Sequence, residues 1–128
     1  MSYYFNKTLS NVTFEQAIEK VTAALKEEGF GVLTNIDMQA TLKNKLDVDI
    51  DRYEILGACN PNFAYKALQS EDKIGLMLPC NVILQEKGEG VEVSVVDPVA
   101  SMQAIENPAL EPIAGEVQAK LKAVIGAL

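Results

Sequence analysis

The chain has 128 residues, 48% hydrophobic and 23% charged, a balance that suits one globular domain spanning 1–128 with a real core. Eleven Lys and Arg against eighteen Asp and Glu leave a net charge of −7, and no basic cluster reverses it locally, so nucleic-acid binding is disfavoured. Histidine is absent, which removes Ser-His-Asp and Cys-His nucleophile pairs, imidazole zinc sites and His-ligated haem.

Apolar stretches are interrupted well short of the roughly 20 residues that a membrane span needs. The first residues, Met1-Ser2-Tyr3-Tyr4-Phe5-Asn6-Lys7, lack the basic and apolar regions of a signal peptide. No membrane partner is expected, and the cytoplasm is the expected setting. There, two cysteines stand as reduced thiols rather than as a structural disulfide.

Residues 2–9 alternate, with Tyr3, Phe5 and Leu9 on one side, and predict a half-buried strand. Thr13 and Gln16 form a capping box at the head of a helix whose apolar side is Phe14, Ala17, Ile18, Val21, Ala24 and Leu25. Gly29 ends that helix and Phe30 folds back on its last turn. Gly29-Phe30-Gly31 is not a dinucleotide fingerprint, because it follows a helix and precedes the strand 32–36. Asp37 then caps a short helix over 38–46.

Asp47-Val48-Asp49-Ile50-Asp51 imitates the start of a calcium loop. It has Arg52 where glycine is needed and Ala58 where the bidentate glutamate belongs, so it reads as an edge strand. A strand over 53–58 and a helix over 61–69 follow. The continuous apolar run 74–85 predicts a central strand covered on both faces, with Pro79 forcing a bulge or a gap in its pairing. Lys87-Gly88-Glu89-Gly90 turns the chain into a strand over 91–96, closed by Asp97-Pro98. A turn or short helix covers 99–105. Leu110, Ile113, Val117, Leu121, Val124, Ile125 and Leu128 then mark one side of a long C-terminal helix, irregular at Pro112. The order β-α-β-(α)-β-α-β-β-α predicts an α+β fold: a largely antiparallel sheet of about five strands with two main amphipathic helices on one face.

The residues that carry chemistry cluster in two boxes, Gly57-Ala58-Cys59-Asn60-Pro61 and Leu78-Pro79-Cys80-Asn81-Val82. Cys59 falls at a strand end beside a helix N-terminus, where free N–H groups favour an anion and lower a thiol pKa. Asn60 reads as the helix N-cap and Pro61 as its first residue. Cys80 follows Pro79, and Asn81, polar within an apolar run, is placed to satisfy the backbone gap left by the proline. Asp97 reads as a strand-end turn residue, of interest only if it faces the thiols. Weighed against these readings, free cysteine is often a small buried hydrophobe.

Three chemistries suit a thiol pair without histidine. Cys59 and Cys80 could cycle with a disulfide, Cys59 attacking and Cys80 resolving. They could hold a soft metal, with further ligands from elsewhere. Cys59 could also attack a small electrophile, with Asn60, Asn81 or helix N–H groups holding an oxyanion. The competing class is a non-catalytic homodimeric module whose apolar surface, with Met38, Phe63, Met77 and Met102, accepts a protein or an apolar small molecule. No cofactor is identified, and whether any reaction is catalysed stays open.

The two cysteine boxes with Ala64, Ala67-Leu68 and Asp97-Pro98 resemble the family called domain of unknown function 302 over essentially the whole chain. The resemblance implies a small bacterial or archaeal α+β protein, with a topology similar to that of the TATA-binding protein but no DNA function carried with it, and a homodimer. It draws attention to Cys59, Asn60, Pro61, Pro79, Cys80, Asn81, Asp97 and Pro98, and implies no activity.

Overall fold

The computed structural model describes residues 2–128. Strand β1 (Tyr4–Ser10) leads into helix α1 (Phe14–Glu27). The capping box forms as the sequence predicts: Gln16 N–H donates to Thr13 Oγ1 at 3.0 Å, and Thr13 N–H donates to Gln16 Oε1 at 2.9 Å. At the other end Gly29 takes a left-handed φ of 85°. That turn lets Phe30 N–H reach Leu25 O at 2.9 Å and Gly29 N–H reach Lys26 O at 3.0 Å, which satisfies the last carbonyls of α1.

Strand β2 (Gly31–Asp37) runs directly into α2 (Met38–Leu46), where the Asp37 side chain accepts from Ala40 N–H at 2.9 Å. Strand β3 (Tyr53–Cys59) precedes α3 (Pro61–Ser70), and the hairpin of β4 (Cys80–Lys87) and β5 (Gly90–Val96) completes the sheet. Helix α4 (Pro98–Ser101) and the long α5 (Leu110–Gly126) close the chain. All neighbours pair antiparallel in the order β1-β5-β4-β3-β2, giving the α+β class read from the sequence.

Alternation puts Leu56 and Ala58 of β3, Val82 and Leu84 of β4, and Val91, Val93 and Val95 of β5 on one face. Against it lie Phe14, Ala17, Val21 and Leu25 of α1 and Val117, Leu121 and Val124 of α5. A smaller cluster of Ala67, Ile74, Met102, Leu110 and Ala114 packs beneath α3 and the start of α5. The opposite face carries Tyr4, Tyr53, Ile55, Ile83 and Val96, and none of them is fully buried.

Four expectations are corrected. The run 74–85 is not one strand: Ile74–Met77 forms a single 3₁₀ turn, and β4 starts only at Cys80, after a cis Leu78-Pro79 bond. Proline at the strand's entrance leaves no missing donor in the ladder. Nor is β4 covered on both faces, since its burial alternates from Cys80 onward. The stretch 47–51 is a loop, with Asp47 ending α2 at a left-handed φ of 53° and Lys43 bonded to Asp47 at 3.0 Å and Asp49 at 3.2 Å. Met102 is core and not surface.

Candidate functional site

The β3–β4 ladder brings the two cysteine boxes together. Ala58 pairs with Cys80 and Gly57 with Asn81, so Cys59 stands one register step from Cys80. By strand geometry this sets their Cα atoms about 6 Å apart, inside the span a disulfide can bridge. Alternation starts the two side chains from opposite sides of the sheet, Cys80 in phase with Ala58 towards the helices and Cys59 out of phase with it. Both thiols are free.

Cys59, Asn60, Pro79 and Cys80 line one cavity of about 30 Å³, walled otherwise by apolar side chains including Phe30, Phe63, Met102 and Val117. A space of this size admits a water or one small group and no larger ligand. Cys80 is buried and Cys59 half-buried. Loss of water pushes the Cys80 thiol up to about 11, and repulsion from a Cys59 thiolate adds to the effect. Cys80 is therefore a neutral thiol at physiological pH.

Asn60 occupies the N-cap position of α3 but makes no capping bond. Its Nδ2 instead donates to Glu28 O at 3.4 Å, across to the tail of α1. The cap reading is thus corrected: a carbonyl contributed by a distant turn competes for the amide. Pro61 removes one of the orphan donors, and because no side chain caps α3 the next N–H groups stay uncapped at the helix head that follows Cys59.

Three of the sequence-predicted residues lie outside the cavity lining. Pro61 is exposed at the start of α3. Asn81 lies opposite Gly57 on the uncovered face, exposed, and fills no gap behind Pro79, because there is no ladder position there to fill. Asp97 accepts from Val99 N–H at 3.0 Å, capping α4, and from Gln118 Nε2 at 3.0 Å, tying α4 to α5. Its role is structural. Among the described residues no group of three or more Cys, His, Asp or Glu is placed to hold a metal ion, so a soft metal at Cys59 and Cys80 would need ligands from elsewhere.

Sequence reasoning missed a second polar feature at the other end of β3. Glu54 is 7% exposed, and its Oε2 has no partner. Arg52 Nη2 approaches the other carboxylate oxygen, Oε1, at 3.6 Å, while the guanidinium bonds Glu15 and lies 4.1 Å from the centre of the Phe14 ring. The Arg52 hydrogen bond lowers the Glu15 pKa. Only the in-phase relation of Glu54 to Leu56 hinted that this acid would be buried.

An antiparallel sheet with helices on one face, its two cysteines lining one cavity at the abutting ends of β3 and β4, defines a small α+β protein. The chain belongs to the family described as Domain of unknown function DUF302, whose model matches residues 5–128. It is similar to the crystal structure of an uncharacterized conserved protein DUF302 from Bacillus stearothermophilus, with 26% identity, a TM-score of 0.91, and coverage of 99% of this chain and 98% of that one. No curated protein matches the chain. No helix is long and apolar enough to cross a membrane among the described residues.

Proposed function

We propose that the protein is a thiol redox protein, with Cys59 as the exchanging thiol and Cys80 as its resolving partner. The observation that carries the reading is the placement of both cysteines around Pro79, one register step apart and lining the same cavity. Ionised Cys59 attacks one sulfur of a small disulfide and expels a thiolate, forming a mixed disulfide. Cys80 then passes its proton to the first expelled thiolate and attacks Cys59 Sγ, expelling the second thiolate, which takes a proton from water. The small disulfide is reduced to two thiols and the protein gains one disulfide, so electrons balance. Closing that bond requires the end of β3 to turn, because the side chains start from opposite sides. The setting proposed is the cytoplasm, where the resting state is two thiols.

The test is mass spectrometry after exposure to oxidised glutathione. Loss of two hydrogens in the wild type, with a stable glutathione adduct on Cys59 in the Cys80→Ser variant, supports the reading. A wild type that shows neither product overturns it.

A second reading, homodimerisation, is favoured by the uncovered sheet face. Among the residues that line a hollow of about 440 Å³ there, Glu92 alone is charged. A chain of net charge −7 meets its own copy at least cost where charge is sparse, and Tyr4, Tyr53 and Ile83 supply apolar contact. Light scattering across a dilution series checks it; a single monomer mass at all concentrations rejects it.

A further inference from the structure

A groove between α4 and the start of α5 lies outside both readings. It encloses about 650 Å³, within the range of small-molecule sites. Its floor is apolar: Val99, Met102, Ile105 and Leu110, of which Met102 and Leu110 are 9% and 2% exposed. Glu106 and Glu111 stand on its rim, both exposed, and no Lys or Arg lines it. Neither glutamate takes part in an ion pair among the described residues.

The groove is also preformed. Asn107 Nδ2 donates to Ser70 O at 2.6 Å and to Glu71 Oε1 at 3.1 Å, while its Oδ1 accepts from Ala109 N–H at 3.1 Å. One amide thus pins the connecting segment to the end of α3 and shapes the entry to α5. Ile105 N–H to Met102 O at 3.1 Å and Leu110 N–H to Asn107 O at 3.1 Å hold the intervening turns. A site ordered before binding loses less freedom when it is filled.

We propose that this groove binds a small hydrophobic ammonium ion, its apolar body on Met102 and Leu110 and its cationic head between Glu106 and Glu111. Charge complementarity selects this class: two unpaired carboxylates and no base surround an apolar floor, in a chain that is strongly acidic overall. The proposal stands whether or not the thiols are redox active.

The experiment titrates the full chain with phenylpropylammonium chloride and, separately, with uncharged phenylpropanol, following the Met102 and Ala114 methyl resonances by NMR. Saturable shifts at those methyls are expected for the ammonium, with weaker binding of the alcohol. The E106Q/E111Q variant should bind the ammonium about tenfold more weakly, the product of two exposed charge pairs, and the alcohol unchanged. Each single variant should account for part of that loss. Absence of saturable shifts overturns the proposal, as does equal affinity for the two compounds or unaltered ammonium binding in the double variant.

Discussion

Pro79 closes over Gly57 so tightly that a Cβ built on the glycine would lie 2.7 Å from Pro79 Cγ, with Thr34 Oγ1 blocking the same space. Neither neighbour can withdraw easily, one being a ring at the entrance to β4 and the other part of the paired edge strand β2. Gly57→Ala is therefore expected to destabilise the fold by about 1–3 kcal/mol through overpacking, read as a lower urea midpoint. Thr34→Ala in the same chain should recover only part of the loss, because Pro79 remains.

The two thiols should differ in access. In the native protein an alkylating reagent is expected to modify Cys59 first, and Cys80 only after denaturation, as peptide mapping will show. Equal rates would mean that the cavity wall opens readily.

Cys80 also ties stability to alkaline pH. Its folded pKa is raised, from 9.0 to about 11, so the native state holds the proton that the unfolded state releases in that window. Its contribution is whole below about pH 9 and is lost as pH rises towards 11, amounting to about 2–3 kcal/mol. Urea denaturation at pH 8 and at pH 10.5, compared with Cys80→Ala, isolates this from other titrating groups. The variant should show the smaller drop.

Arg52 shields a buried acid. Arg52→Ala should cost about 2–3 kcal/mol, because it leaves the Glu54 carboxylate without its cation and uncovers the Phe14 ring. Adding Glu54→Gln should recover part of that. Glu15→Gln, on the exposed side of the same guanidinium, should change the urea midpoint little.

If the open face joins two copies, a charge at its centre will part them. Ile83→Arg is expected to yield monomers by light scattering, with the far-UV spectrum unchanged because this side chain faces away from the helix-covered core.

Local chemistry made much of the fold legible. The Thr13 box, the Gly29 turn and the Asp37 cap each follow from residues within a few positions of one another, and all three form. Features decided by distant parts of the chain were not legible. Asn60 looks like a cap until the carbonyl of Glu28, 32 residues away in sequence, competes for its amide. The run 74–85 looks like a strand because apolar content says nothing about where pairing begins, and Pro79 delays that start to Cys80. At the candidate site, the two boxes are legible as motifs, but their pairing depends on the β3–β4 register, which no local pattern gives, and Asn81 and Asp97 face elsewhere. Alternation sends one to the uncovered side, and capping geometry turns the other towards α5.

Met102 and Ala114 contribute to both hollows, the acidic groove on one side and the sulfur-lined pocket on the other. A thioether chain is unbranched and alanine offers almost no bulk, so little side-chain volume stands where the two linings meet. Shortening position 102 would thin the lining that the space beneath the glutamates shares with the pocket at Cys80.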